Sequence, residues 1–369
     1  MRPIICHVAQ IRINEQSGMG RVAWHWKNEF ERRGYDFIHI GPEQVGPLRH
    51  PALFPHAAYR AYRNLDRPAD LILAHEPSSG VFIRDASPTV VFSHGIERRG
   101  WQLALQGRDG TNEKIRWRTK ILFPLWRLRQ CDLGLRKAAK LLLINDEDAV
   151  FARNYYRRSD SQICVFKNGA YPSKLNEEAQ PCHMLTGLFL GSWLERKGIN
   201  TLVEAARILD ERGARVNWLL AGTGLDRDAV LSRWPDSLRT AVEVIPEFTP
   251  DAEDSIFARS SFFVLPSFFE GQPLALLQAM ESARCCITTN CCGQRDLIRH
   301  GYNGLLHEPG DAQHLASLIE QCINSETLRK GLGRAAKQAV QGRRWEAVSS
   351  EMADFVESAF PLAKGAGAR

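Results

Sequence analysis

The residues best suited to chemistry lie in PSFFEGQPLALLQAM, residues 266–280. Glu270 ends an apolar run that reads as a buried strand. Gly271 and Pro273 supply a turn and a first helical position, so the acid sits at a strand-to-helix crossing. A helix start presents unpaired N–H groups and a positive dipole end. With Pro273 at the first position, the amides of Leu274 and Ala275 point outward, where a diphosphate would fit. Glu270 can accept hydrogen bonds from sugar hydroxyls, and the amide Gln278, eight residues on, can reach another polar group. The same stretch also fits a solvated helix-start acid and a surface amide.

Three further places carry potential. In GSWLERKGINT (191–201), Lys197 precedes Gly198 and a helix. A lysine there opposes the helix dipole unless it neutralises a bound phosphate, although a solvated basic turn tolerates the small cost. In NEQSGMGRVA (14–23), Gly18-x-Gly20-x-x-Ala23 has the form of a dinucleotide fingerprint. The match is formal, because Gly18 comes seven residues after Ile11 and no acid ends the second strand. A glycine loop that lets backbone approach a ligand is the better reading. In VVFSHGIE (90–97), His94 stands at the end of a strand before Gly95, and His75 in LILAHEP has a similar place. Hydrogen-bonded loop ends account for such histidines equally well.

These residues need elements to hold them. Short apolar runs at 4–11, 36–41, 70–76, 89–95, 140–146 and 162–169 alternate with amphipathic segments, as in βαβ units with a parallel sheet. A polar, Pro-containing break at 170–183 reads as a linker. The pattern restarts at 184–193, 215–224, 242–247, 260–267 and 284–290. Ile199, Leu202, Val203, Ala206 and Leu209 share one helical face, with Gly213 as a stop. The fold class is therefore α/β, two doubly wound Rossmann-like domains that face a central cleft. The boundaries expected are 1–178 and 179–342, with a final helix at 343–360.

The chain of 369 residues is too long for one comfortable core. It has 44% hydrophobic and 24% charged residues, a globular composition without a run of membrane-spanning length. Arg12, Asn14 and Glu15 interrupt the first apolar run, so a strand is expected there rather than a secretory signal. Nine scattered cysteines suit free thiols in a reducing compartment. The pairs Cys285–Cys286 and Cys291–Cys292 are poorly placed to share a tetrahedral zinc, and a strand with half-buried thiols is preferred.

PSFFEGQPLALLQAM, followed by CCGQRDLIRHGYNGLL (291–306) and EPGDAQHLASLI (308–319), resembles the carboxyl-terminal signature of family 4 glycosyltransferases, which retain anomeric configuration and have the GT-B fold. SGMGRV, FSHG, FKNGA and LGSWLERKG follow the same family's order. The resemblance implies a metal-independent transferase of sugar from a nucleotide-diphosphate donor, with no separate cofactor. It implies donor-sugar contact for Glu270, diphosphate contact for Lys197, and a cradle from Gly271, Gln272, Pro273, Leu274 and Ala275. It also implies a place beside the transferred sugar for His94, a loop near the phosphates for Gly18 and Gly20, and a closing helix that returns to the first domain. Two positions depart from the pattern: Gln278 stands where a second Glu grips the ribose, and Ser192 where an Arg is common. Arg196, beside Lys197, is the available substitute.

Residues 98–140 carry twelve Lys or Arg against three Asp or Glu, interleaved with Trp101, Trp117, Phe123 and Trp126. Such a mixture fits an anionic membrane surface, a solvated basic face or an acidic acceptor. No nucleic-acid motif accompanies it. The function expected is transfer to a glycan or lipid-linked acceptor in envelope or extracellular polysaccharide assembly, by a cytoplasmic protein at the inner face of the membrane. A nucleotide-binding GT-B protein or partner subunit without transfer activity is the alternative, resting on Ser192 and Gln278.

Overall fold

The computed structural model describes residues 2–16, 18–111, 114–175 and 185–360. Part of the expected linker, residues 176–183, lies outside them. Two compact units are formed, one within residues 1–102, 114–168 and 345–369, the other within 103–113 and 169–344. Each is built on a six-stranded parallel sheet. The first contains β1 (Ile4–Val8), β2 (Asp36–Ile40), β3 (Leu71–His75), β4 (Thr89–Phe92), β5 (Lys140–Leu143) and β6 (Ile163–Val165), ordered β2-β1-β3-β4-β5-β6. The second contains β7 (Thr186–Leu190), β8 (Asn217–Ala221), β9 (Val242–Ile245), β10 (Phe262–Leu265), β11 (Cys285–Thr289) and β12 (Leu305–His307), ordered β12-β11-β10-β7-β8-β9.

Helices cover both faces of such sheets, so inner strands read as unbroken apolar runs. The strands β1, β3, β4, β10 and β11 are buried along their whole length, whereas the outer β2, β6 and β9 are partly exposed. Eleven strands match the apolar runs of the sequence. The twelfth, β12, has no counterpart among those runs: it is three residues long, at a sheet edge, between the turn residues of GYNG and EPG.

The helix Ile199–Glu211 buries Ile199, Leu202, Ala206 and Leu209 as expected, and Gly213 beyond it has φ +76°. The helix Trp345–Glu357 buries Trp345, Val348, Met352 and Val356 against the helix Gly18–Arg32 of the first unit. His25 stacks on Trp345 at 4.2 Å, and Arg33 donates to Asp354 at 2.6 Å and to Glu357 at 3.0 Å.

The basic segment divides in two. Arg98, Arg99 and Arg127 are half-buried and paired with Asp132, with Glu147 and Asp148, and with Glu97. Their charge holds helices together and is not surface charge, a correction to the reading of 98–140 as one basic face. The segment Trp117–Leu128 is different. It is helical with a π-bulge at Pro124–Leu128, and Trp117, Ile121, Leu122, Leu125 and Trp126 are each about half exposed or more.

Parallel register also aligns four histidines. His7 on β1 stands opposite His39 on β2, β3 ends on His75, and His94 follows β4 by two residues. His7 Nδ1 is 3.0 Å from His39 Nδ1, and His7 Nε2 is 3.1 Å from His75 Nε2. The ring centroids of His75 and His94 are 5.0 Å apart. Burial holds all four below their ordinary pKa, His94 down to about 3. A ring kept neutral when folded but protonated near pH 6.5 when unfolded contributes stability that is complete above that pH and is lost below it. Each ring then removes up to about 1.4 kcal/mol per pH unit as the solution is acidified. Replacing His94 by Phe should flatten the fall in urea-unfolding free energy between about pH 6 and pH 4.5 by up to that amount. An unchanged slope would show that His94 is protonated in the folded chain.

Candidate active site

In open parallel sheets, ligands bind beyond the carboxyl ends of strands where the strand order reverses. In the second unit that place lies between β7 and β10, neighbours in the sheet although distant in sequence. The turn after β7 carries Ser192, Arg196 and Lys197. The turn after β10 carries Glu270. The amide of Phe268 donates to the carbonyl of Arg196 at 2.9 Å and joins the two turns. Gly198 has φ +74°, and a Cβ there would stand 1.9 Å from the Pro266 carbonyl oxygen, so close approach of the turns requires glycine.

The two candidate charges meet at this junction. Lys197 Nζ donates to Glu270 Oε1 in a close ion pair, and Arg196 Nη1 is 3.9 Å from the same oxygen. The side chains of Lys197 and Glu270 are 16% and 11% exposed, so each shields the other from an unpaired burial. Arg196 is half exposed and turned toward Glu270, although it neighbours Lys197 in sequence. Ser192 is exposed.

The helix after Glu270 begins at Leu274, not Pro273. Pro273 has ψ +119° and caps the helix from outside, its carbonyl accepting from the amides of Leu276 and Leu277. The amides of Leu274 and Ala275 precede those first intrahelical bonds, as an anion-binding helix start requires. The amide of Gly293 donates to the Glu270 carbonyl at 3.2 Å, and a Cβ on Gly293 would lie 1.6 Å from the Gly271 carbonyl oxygen. The cradle is thus pinned from behind. Gln272 is buried and accepts from Arg343 Nη1 at 3.3 Å. Gln278 is buried and donates from Nε2 to the carboxylate of Glu253, the first residue of the helix Glu253–Ala258.

In the first unit, Gly18 has φ +50° and opens the helix Gly18–Arg32. Gly20 packs on its own loop: a Cβ there would lie 2.7 Å from the Arg12 carbonyl oxygen. The buried Arg21 secures that loop through the carbonyls of Glu15 at 2.9 Å and Gln16 at 2.7 Å. His94 is half-buried, with Nε2 buried and unpartnered. It lines a cavity of about 240 Å³ with His75, Glu76, Glu97, Trp126 and Arg127. Glu76 Oε2 accepts from Ser93 Oγ at 2.5 Å and Oε1 from the Glu97 amide at 3.1 Å, and burial lifts its pKa to about 8.

Lys197, Arg196 and Glu270 are therefore brought together in the second unit. His94, with His75, lines a cavity in the first, while Gly18 and Gly20 shape the start of its first helix. Four residues were missed by sequence reasoning: His7, His39, Glu76 and Glu253. For the two histidines a signal existed, since IICHV, DFIHI and LILAH each place a His near the end of a strand.

Comparison with known proteins bears on the second unit above all. Residues 184–339 match the family described as glycosyl transferases group 1. An uncharacterized glycosyltransferase of Methanocaldococcus jannaschii is 29% identical over 160 residues, 43% of this chain and 44% of that protein. The N,N'-diacetylbacillosaminyl-diphospho-undecaprenol alpha-1,3-N-acetylgalactosaminyltransferase of Campylobacter jejuni is 25% identical over 57% of this chain and 58% of its own length. The chain thus spans about half the length of the curated relatives it matches. Among solved structures, a sucrose-phosphate synthase of Thermosynechococcus elongatus superimposes with a TM-score of 0.77 at 18% identity, over 97% of this chain and 99% of that one. The fold is GT-B, and residues 184–339 carry the match to the glycosyl transferases group 1 family.

Proposed function

We propose that the chain is a retaining glycosyltransferase that moves a sugar from a nucleotide-diphosphate donor to a glycan or lipid-linked acceptor. The observation that carries this reading is the Lys197–Glu270 pair at the mouth of the helix Leu274–Glu281, within a group 1 domain. A bound donor would exchange that pair for better partners. The diphosphate takes Lys197, Arg196 and the amides of Leu274 and Ala275, and Glu270 turns to the sugar hydroxyls. As the nucleotide diphosphate departs, the same cations and the helix dipole meet its growing charge. Arg196 fills the role left open by Ser192. His94 acts beside the transferred sugar, with Gly18 and Gly20 near the phosphates. A nucleotide-binding protein without transfer activity is the second reading, favoured by Ser192 and Gln278 alone.

The acid missing at position 278 has a neighbour to replace it. Gln278 orients Glu253, so a carboxylate stands beside the amide where the family has one at 278 itself. In this reading Glu253 accepts from the ribose and Gln278 holds it.

The acceptor side is supported by the exposed apolar face of Trp117–Trp126, flanked by Arg116, Arg118 and Lys120, with the Arg118 guanidinium 5.5 Å from the Trp117 ring. Basic residues and aromatics mixed on one face suit an anionic lipid surface. The Campylobacter relative is named for a lipid-linked acceptor. Among the described residues no helix is long and apolar enough to cross a membrane. Peripheral attachment at the cytoplasmic face, in assembly of envelope or extracellular polysaccharide, fits these observations.

Three outcomes test this function. With cationic side chains and amides on the diphosphate, turnover should persist in excess chelator. A loss above about tenfold that magnesium or manganese restores would end the metal-independent reading. Changing Gln278 to Glu alone should weaken donor binding, because two carboxylates then share one site. Exchanging the pair, Gln278→Glu with Glu253→Gln, should restore binding, since a hydrogen bond to a charged group is worth roughly 1.5–3 kcal/mol. Isothermal titration with UDP, GDP, ADP and dTDP measures both, and a single Gln278→Glu variant that binds like the parent excludes the Glu253 role. Neutralising Arg116, Arg118 and Lys120 together should weaken co-sedimentation with phosphatidylserine vesicles by roughly a hundredfold, at about 1 kcal/mol per charge. A parent protein that does not sediment with these vesicles has no membrane face there.

A further inference from the structure

The histidine row of the first sheet has only one consistent arrangement of protons. His39 Nε2 lies 3.0 Å from the Ile11 carbonyl oxygen. A carbonyl only accepts, so Nε2 carries the proton and, in a neutral ring, Nδ1 is bare. His7 Nδ1, 3.0 Å from that bare nitrogen, must donate to it. His7 Nε2 is then bare in turn, and His75 Nε2 donates to it across 3.1 Å. One proton per ring leaves His75 Nδ1 without a hydrogen. Burial supports one proton per ring, because it disfavours the imidazolium of His7 and His75.

His75 is also the ring of the row that reaches the cavity of about 240 Å³. Its Nδ1 forms no hydrogen bond with any described residue, and the His75 side chain does not cap the helix Glu76–Phe82 that follows it. His94 lines the same cavity, and its Nε2 is buried and unpartnered among the described residues. A bare nitrogen beside a ring free to donate matches a hydroxyl, which gives one hydrogen bond and accepts another. It does not match the diphosphate of a nucleotide sugar, whose oxygens carry no proton at neutral pH.

We propose that His7 and His39 are positioning residues that hold His75 with a bare Nδ1 toward this cavity, where it accepts a hydrogen bond from a hydroxyl of the sugar acceptor. The inference deepens the transferase reading and rests on it for the identity of the ligand. His39, at the outer strand, sets the direction of every bond in the row. Its Nε2 is committed to Ile11, so the order runs inward from a fixed backbone oxygen. Neither His7 nor His39 touches the ligand.

Histidine-selective 15N labelling of the full chain, read by long-range 15N–1H correlation, tests the arrangement without turnover. The parent should show His75 protonated at Nε2 alone. His39→Phe removes the acceptor of the His7 proton and should give His75 a mixture of tautomers, whereas His39→Gln, whose Oε1 can accept, should restore the single form. Methyl glucoside should shift His75 Nδ1. In transfer assays His39→Phe should raise acceptor KM at least threefold, leave donor hydrolysis by water unchanged, and recover in His39→Gln. A protonated Nδ1 in the parent, a single His75 tautomer that survives His39→Phe, or no Nδ1 response to saturating methyl glucoside overturns the proposal. The expected tautomers and shift in a chain without transfer activity would remove the transferase reading and leave the hydroxyl site standing.

Discussion

The Lys197–Glu270 ion pair is the contact on which the second unit's chemistry turns, because it binds two loops that the chain makes 73 residues apart. Sheet order makes the meeting possible. Since β7 and β10 are adjacent, their outgoing turns share one edge, and the Phe268–Arg196 backbone bond holds them in register. With both side chains mostly buried, removal of Glu270 would leave the Lys197 charge without its partner, a strongly destabilising change. The buried pair is thus neutral in sum, and Arg196 adds one positive charge at its exposed side. Gly198 and Gly293 serve the same end, since each permits a backbone approach that a side chain would block.

The first unit solves a related problem with neutral groups. Its parallel strands carry polar rings in a buried layer, where a charge would be costly. Histidine suits that layer, because a neutral ring offers one donor and one acceptor and so passes a hydrogen bond from strand to strand. The row begins at a backbone carbonyl and ends at a cavity, which makes the fold itself the source of polarity at its last ring. Glu76 follows the same logic. Both of its oxygens are bonded, to Ser93 and to the Glu97 amide, which makes burial of the carboxyl tolerable.

Much of this was legible in the sequence, and the exceptions share a cause. Apolar runs bounded by glycine and polar residues marked eleven strands, because a strand buried on both faces has no other composition available. The edge strand β12 escaped because its apolar run is only Leu305 and Leu306, shorter than the ICVF that marked the other three-residue edge strand, β6. Lys197 and Glu270 were each readable as a strand-end residue before a helix. Their contact was not readable, since it depends on strand order. His7 and His39 were hidden for the same reason: each looks ordinary alone, and only register makes them neighbours. The basic segment misled in the opposite way, because composition counts Arg98, Arg99 and Arg127 as surface charge when their partners lie on other helices.

Gln278 carries that distinction furthest. Read along the chain, an amide in place of an acid is a loss, and it raises the question of an idle enzyme. In three dimensions the amide donates to Glu253, so the local group still holds one carboxylate, displaced by one side chain. Charge at a site belongs to the group of side chains that share it, and a single aligned position cannot report it. The same holds at Ser192, where Arg196 reaches Glu270 from four residues away in the same turn. Each departure from the pattern therefore has a residue of the pattern's charge close by, Glu253 bonded to Gln278 and Arg196 in the same turn as Ser192.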